Sequence, residues 1–313
     1  MSRKKIALLA GGWSGEREVS LESGKAVYGA LDKSKYAVSM YDPRDDLQAL
    51  MDTKEEIDLA VVMLHGKFGE DGCIQGLLNV LRIPFLGSDL LSSAMSMHKV
   101  VAKEILRRAG LNVAMDVVLK QGDGVSVDAI MERLGQATCV KPVAQGSSLG
   151  MSLCQSHDEL VAGIEKAFQH GKEVMVEEYV GGREFTCCVL GNQFLETLPL
   201  IEIVPEEMYR FFTYEAKYTP GATDEICPAR ISPPLAEKVI SAAKVAHRAL
   251  QCRVWSRTDM IIRGQSIYVL ETNTIPGMTE NSLFPLAARV AGLSLSALLD
   301  RLITLSLDSQ DCR

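Results

Sequence analysis

Tyr268-Val-Leu-Glu-Thr-Asn-Thr-Ile-Pro-Gly-Met-Thr279 decides how this 313-residue chain is read. Its first half alternates as a strand does, so Ile267, Val269, Glu271 and Asn273 are expected on one face and Tyr268, Leu270 and Thr272 on the other. A carboxylate and an amide then project together. Upstream, Val254-Trp-Ser-Arg-Thr-Asp-Met-Ile-Ile262 reads as a second strand with Trp255, Arg257, Asp259 and Ile261 on a common face. The short, glycine-containing Arg263-Gly-Gln-Ser266 between them predicts a hairpin. With Gly264-Gln265-Ser266 as a three-residue loop closed by Arg263 and Ile267, Asp259 falls opposite Glu271, their Cβ atoms about 5 Å apart.

Two like charges so placed repel unless a cation lies between them. An all-oxygen set of Asp259, Glu271 and Asn273 suits magnesium rather than zinc. A solvated strand face with unrelated acids would carry the same residues. The tail Asn273-Thr-Ile-Pro-Gly-Met-Thr-Glu-Asn-Ser282 favours a ligand, because a Pro-Gly turn directly after the acids brings backbone N–H groups near it.

Composition narrows the class. With 47% apolar residues and a mean hydropathy near zero, the chain reads as a soluble globular protein. Its length allows roughly two or three modest domains. A formal charge of -7 and the lack of a strongly basic segment argue against a nucleic-acid partner. The apolar run Ile6-Ala-Leu-Leu-Ala10 is too short for a signal peptide and is followed by glycines, so it reads as the first strand. No run is long and apolar enough for a membrane span. The eight cysteines show no C-x-x-C spacing and Cys187-Cys188 are adjacent, which suits neither a disulfide framework nor a zinc site. Reduced thiols in a cytosolic enzyme are expected.

The N-terminal third predicts a doubly wound α/β unit: a strand over 6–10, a glycine loop, and a helix over 17–31. Its glycines do not fit G-x-G-x-x-G, which counts against a dinucleotide site and a nicotinamide-dependent oxidoreductase. Glu16 ends the loop beside a helix N-terminus, where it can cap the helix or hold an ammonium group. A second strand over 57–64 ends at His65-Gly-Lys-Phe-Gly-Glu-Asp-Gly72, followed by a helix over 74–81. Ligands bind at the carboxyl ends of such strands, so Glu16 and His65 are expected to face one crevice, His65 in a positioning role. A small strand over 81–87, a connecting segment over 88–97 and a helix over 98–108 stopping at Gly110 come next. Lys99, a cation at a helix N-terminus, calls for a negative partner.

Farther on, a strand with Lys141 runs into Val143-Ala-Gln-Gly-Ser-Ser-Leu-Gly150, small residues that let a backbone approach phosphate oxygens. It is not a Walker A loop, and a plain surface hairpin has similar composition. After a helix over 158–169 comes a strand over 173–180, whose end can hydrogen-bond an adenine edge. Residues 183–190 and 193–198 predict a hairpin around Gly191-Asn192. The aromatic, charged, proline-rich stretch 205–229 has no clear period and is expected to be a lid. Helices over 234–250, 286–291 and 294–305 complete the chain.

Six blocks stand in order: Gly11-Gly-Trp-Ser-Gly-Glu-Arg-Glu-Val-Ser20; His65 to Gly72; Val140-Lys-Pro142 with Gly146-Ser-Ser-Leu-Gly150; Glu215-Ala-Lys-Tyr218; Arg257-Thr-Asp259; and Leu270 to Thr279 with Ser282. In this order the chain resembles the D-alanine:D-alanine ligases of the ATP-grasp superfamily, essentially from end to end. The resemblance implies an α/β fold: an N-terminal doubly wound parallel-sheet substrate domain over 1–96, then a two-part ATP-grasp fold (α+β) holding the nucleotide between two sheets. Its central subdomain would cover 97–182, and its C-terminal subdomain, with metal site and lid, 183–313.

The implied activity is ATP-dependent joining of two D-alanine molecules through a D-alanyl phosphate, for peptidoglycan precursor synthesis, by a cytoplasmic homodimer. Lys99 and Lys141 would contact ATP phosphates, and Glu177, Val180 and Glu184 would line the adenine and ribose site. Asp259, Glu271 and Asn273 would hold two magnesium ions, with manganese as a substitute. Glu16 would bind the first ammonium, linked to Ser147 and Tyr218. Arg257 and the Gly277 backbone would stabilise the oxyanion, and Lys217 and Ser282 would bind the second carboxylate. The family often has Lys where Glu178 stands, Asp at His98, and Val or Ile at Thr258, which puts the adenine contact of Glu178 in doubt. The resemblance also leaves room for relatives that use D-lactate or D-serine; Tyr218 favours the dipeptide. A non-catalytic nucleotide-binding regulator is a third reading.

Overall fold

The structure is a computed structural model that describes residues 3–124, 126–146, 149–205 and 223–308. The N-terminal unit is β1 (Lys4–Leu9), α1 (Arg17–Ala30), β2 (Tyr36–Tyr41), α2 (Pro43–Asp52), β3 (Leu59–Val62) and α3 (Cys73–Val80). Its strands form a parallel sheet in the order β2-β1-β3. The central strand and β3 are covered on both faces, which explains their unbroken apolar runs. The expected small strand near 81–87 is reduced to one parallel bridge, Ala60 with Phe85.

The segment 88–97, expected to be a connection, is instead helix α4 (Leu90–Met97). Asp89 caps it by accepting the Ser92 N–H at 3.1 Å. Its serines and alanine blur the apolar period, yet Ser92, Ser93 and Ser96 are all buried. Helix α5 (Lys99–Arg108) follows directly, with His98 as the shared boundary residue.

A second sheet is antiparallel, ordered β4-β7-β5-β6, from β4 (Asp116–Lys120), β5 (Thr138–Pro142), β6 (Ser152–Cys154) and β7 (Glu173–Glu178). Helices α6 (Val127–Leu134) and α7 (His157–Phe168) cover one face, and Leu119, Ile130, Val140, Leu160, Ile164 and Val176 make a core of their own.

The third sheet, also antiparallel, runs β11-β10-β8-β12-β13 with β9 beside β8. Its strands are β8 (Arg183–Gly191), β9 (Leu195–Thr197), β10 (Ile201–Pro205), β11 (Thr223–Ile226), β12 (Val254–Arg263) and β13 (Ser266–Asn273). Part of the expected lid is thus a strand: β11 pairs with β10, Glu202 opposite Ile226. Residues 206–222 of that stretch, with Lys217 and Tyr218, lie outside the described residues, as does Ser147. Helix α8 (Pro233–Ala249) packs on this sheet.

Helices α9 (Leu283–Val290) and α10 (Leu295–Asp308) return to the N-terminal sheet. Trp255 of β12 meets Phe284 of α9 edge-on, ring centroids 5.2 Å apart, in a core that also contains Leu8, Val61 and Leu302. The first and third sheets therefore share one apolar interior. Among the described residues no single helix is long and apolar enough to cross a membrane.

The hairpin β12–β13 departs from its expected geometry. Its loop has two residues, Gly264 and Gln265, with Arg263 paired to Ser266 and Ile262 to Ile267. Gly264 supplies the positive φ (65°) that such a tight turn needs. That register alone would place Asp259 opposite Leu270. A bulge between Asp259 and Met260 leaves Leu270 unpaired and brings Asp259 opposite Glu271 after all. The bulge also resets the faces. Val269 is buried and borders neither cavity, whereas Leu270 and Glu271 both border the cleft, so the expected sharing of a face by Val269 and Glu271 fails.

Candidate active site

Two cavities meet where the three sheets converge. The larger, about 710 Å³, is bordered by Glu16, His65, Arg257, Asn273, Gly277 and Ser282. The smaller, about 140 Å³, is bordered by Lys141, Glu177, Val180, Glu184 and Asp259. Lys99 and Glu271 belong to both walls. Every described residue singled out from the sequence therefore borders one cleft.

Glu16 sits at the N-cap of α1 but makes no side-chain cap bond, which removes capping as its explanation. Its carboxylate is buried against two backbones. A Cβ on Gly66 would lie 2.2 Å from Glu16 Oε2, and one on Gly146 would lie 2.8 Å from it. Those two glycines let strand-end loops of different sheets close around one acid. Ser14 ties the first two loops together by donating to the His65 carbonyl at 2.6 Å.

His65 is buried, its Nε2 3.1 Å from Ser23 Oγ. Burial first, and the positive charge of Arg257 second, push its pKa down to about 4, so it acts as a neutral hydrogen-bonding group. Ser23 Oγ also accepts the Met278 N–H at 3.4 Å, so His65 supports the Pro276-Gly277-Met278 turn from below. Glu70, from the same loop, went unassigned in the sequence. Its Oε2 accepts the Gly66 N–H at 2.6 Å, and burial, then the charge of Glu16, push its pKa up to about 8. Its place in the quoted loop was the only signal for it.

Arg257 and Asp259 alternate onto one face of β12 and form a two-pronged ion pair, with Thr186 Oγ1 donating to Asp259 as well. Burial alone would lower the arginine's pKa; the Asp259 carboxylate outweighs it and raises it. Asn273 Oδ1 accepts the Ile275 N–H at 3.1 Å, starting the turn that carries Gly277. Ser282 Oγ accepts the Thr279 N–H at 3.1 Å and closes that turn.

On the smaller cavity, Lys99 Nζ donates to the Gln145 carbonyl at 2.5 Å. Lys141 pairs with Glu177 Oε2, while Glu177 Oε1 accepts from Lys103 Nζ at 2.5 Å. Burial would raise the Glu177 pKa; the two ammonium groups prevail and lower it. Glu178 is held by the Met115 N–H at 3.0 Å and faces Arg263 at 3.8 Å, so it braces the start of β4. Lys103 and Asp116 had no place in the sequence reading because their partners are remote in the chain.

The metal question turns on donor chemistry. Asp259 and Glu271 face each other in register, with Asn273 two residues beyond Glu271. Among the described residues no group of three or more His, Cys, Asp or Glu side chains could hold a metal. Two carboxylates and one amide make a partial, all-oxygen set, which fits a hard cation that also takes phosphate and water oxygens.

Comparison with known proteins identifies the family. The family description D-ala D-ala ligase C-terminus matches residues 105–304, and D-ala D-ala ligase N-terminus matches residues 42–88. A D-alanine--D-alanine ligase of Syntrophobacter fumaroxidans is 52% identical over 310 residues, covering 98% of this chain and 100% of that protein. The solved D-alanine--D-alanine ligase of Bacillus anthracis complexed with ATP superposes with a TM-score of 0.87 at 34% identity, over 98% of this chain and 99% of the other. The VanG D-Ala:D-Ser ligase of Enterococcus faecalis gives 0.83 at 33% identity, over 97% and 100%. The chain belongs to the D-alanine--D-alanine ligase family.

Proposed function

We propose that the chain joins two D-alanine molecules to D-alanyl-D-alanine at the expense of ATP, through a D-alanyl phosphate, releasing ADP and phosphate. The observation that carries this is the continuity of the cleft: Lys99 and Glu271 border both the lysine-lined cavity and the cavity of Glu16 and Arg257. A nucleotide on one side and two amino acids on the other would meet at those residues.

A carboxylate is a poor acyl donor, and phosphorylating it creates a good leaving group. Lys99 and Lys141 neutralise phosphate charge during that transfer. Glu177, Val180 and Glu184 line the adenine and ribose pocket. Asp259, Glu271 and Asn273 would hold the magnesium ions, or manganese in their place, and the metal would supply further charge neutralisation. Glu16 takes the ammonium of the first D-alanine, with Ser147 and Tyr218 linked to it, and His65 orients the turn behind the acyl group. The amine of the second D-alanine then attacks the acyl carbon. Arg257 and the Gly277 N–H stabilise the oxyanion, each such donor being worth about 3 kcal/mol. Lys217 and Ser282 bind the second carboxylate. We place the enzyme in the cytoplasm as a homodimer supplying peptidoglycan precursors, and divide it at 1–96, 97–182 and 183–313.

The likeness to a D-Ala:D-Ser ligase favours D-serine as the second reading for the acceptor. Coupled ADP release with D-alanine, D-serine and D-lactate, with and without magnesium, separates the two. Release should require D-alanine and magnesium. Equal release with D-serine or D-lactate as sole acceptor would overturn the substrate assignment, and tight NADH binding without ATP binding would overturn the reaction.

A further inference from the structure

We infer that Lys103 is a positioning residue for the nucleotide: its ammonium fixes the Glu177 carboxylate, and Glu177 in turn holds the Lys141 ammonium in the smaller cavity. This rests on the assignment of that cavity to ATP. Lys103 lies one helical turn beyond Lys99, at the i,i+4 spacing that puts both on the same side of α5. Lys99 reaches the cavity; Lys103 borders neither cavity and is only 3% exposed. Its Nζ stands 2.5 Å from Glu177 Oε1 and 2.9 Å from Asp116 Oδ1. Glu177 offers its other oxygen to Lys141.

The two carboxylate partners of Lys103 have different uses. Asp116 staples α5 to β4, and Arg107 of the same helix already makes that connection, Nη2 to Oδ1 at 3.1 Å. At Asp116 Lys103 is duplicated. Among the described residues only Lys103 and Lys141 make ion pairs with Glu177, and they meet different oxygens of its carboxylate. Without Lys103, Glu177 keeps a single cationic partner and can rotate toward it, carrying Lys141 away from the cavity. With Lys103 in place the carboxylate is pinned at both oxygens, and Lys141 has one direction in which to pair. A lysine hidden behind the wall thus sets the aim of a lysine in it.

The experiment compares Lys103→Met, Lys103→Arg, Asp116→Asn and Glu177→Gln with the unaltered enzyme, reading KM for ATP, KM for D-alanine, ATP binding by calorimetry and thermal midpoint. Lys103→Met should raise the KM and Kd for ATP by about tenfold or more, the loss expected for one hydrogen bond to a charged group, with KM for D-alanine little changed. Lys103→Arg should recover most of the loss. Asp116→Asn should leave ATP binding near the unaltered value. Lys103→Met combined with Glu177→Gln should bind ATP no worse than Glu177→Gln alone, since Lys103 acts through Glu177. The combined variant also leaves no unpaired buried carboxylate at that position should the single one fail to fold. Fully additive losses, or Asp116→Asn matching Lys103→Met, would reduce Lys103 to a staple and overturn the proposal. An unaltered enzyme that ligates D-alanine but gains nothing from ATP would instead overturn the nucleotide assignment.

Discussion

Arg257 grips Asp259 from two positions back on the same strand, Nε to Oδ1 at 3.0 Å and Nη2 to Oδ2 at 2.7 Å. The group proposed to meet the oxyanion is thereby aimed by a group proposed to meet the metal. Lysine cannot reproduce a fork that engages both oxygens. Arg257→Lys should lower kcat by roughly a hundredfold while KM for ATP changes little, the scale typical of losing one oxyanion donor. Steady-state ADP release at saturating D-alanine measures it, and a kcat within twofold of the unaltered enzyme would detach Arg257 from the chemistry.

Glu271 borders both cavities, and its neutral isostere keeps the shape while removing the charge. Glu271→Gln should cost on the order of a hundredfold or more in turnover, with an unchanged thermal midpoint and a raised magnesium requirement. A magnesium titration of ADP release reads this. Normal turnover at low magnesium would exclude the carboxylate pair as the metal site.

Gly66 has φ 69°, and a Cβ there would meet Glu16 Oε2 at 2.2 Å. Gly66→Ala should therefore displace the Glu16 carboxylate and raise KM for D-alanine by about tenfold, with KM for ATP less affected. Equal effects on both substrates would show a general distortion instead.

Acid and base act on stability through different groups. His65 and His247 both have pKa values pushed down to about 4, chiefly by burial, so the unfolded chain binds their protons first as pH falls below about 6.5. Stability is then lost between about pH 6.5 and 4, at up to roughly 1.4 kcal/mol per pH unit for each histidine. Glu70 works the other way. With its pKa raised to about 8 by burial and Glu16, the folded form keeps a proton that the unfolded form gives up, so stability falls as pH rises from 4.5 to 8. Thermal midpoints should peak near pH 6.5, and Glu70→Gln should flatten the alkaline side. An unchanged alkaline slope in that variant would show that Glu70 is ionised throughout.

Much of this site was legible because its chemistry lies at strand ends and in glycine loops, where local sequence records it. Glu16, His65 and Lys141 could be placed from the strand, loop and helix order alone. Edge strands were less legible: β2 and β4 are half-exposed, and each carries an apolar run of only three residues, Tyr36-Ala-Val38 and Val117-Val-Leu119. The pairing of Asp259 with Glu271 was expected from a three-residue loop, and is produced instead by a two-residue turn and a bulge, which shift the register by the same amount. Lys103 was invisible for another reason. Its meaning depends on Glu177, 74 positions away, and nothing local distinguishes it from a solvated helix lysine.

The common interior of the first and third sheets has a mechanical consequence. Leu8, Val61, Trp255 and Phe284 belong to one packed mass, so Glu16, Arg257 and Glu271 ride on a single body whose spacing cannot change without breaking that interior. The sheet carrying Lys141 and Glu177 has a separate interior. A displacement of that sheet would reshape the cavity of Lys141 and Glu177 and draw Gly146 off Glu16, while the spacing of Glu16, Arg257 and Glu271 stays fixed.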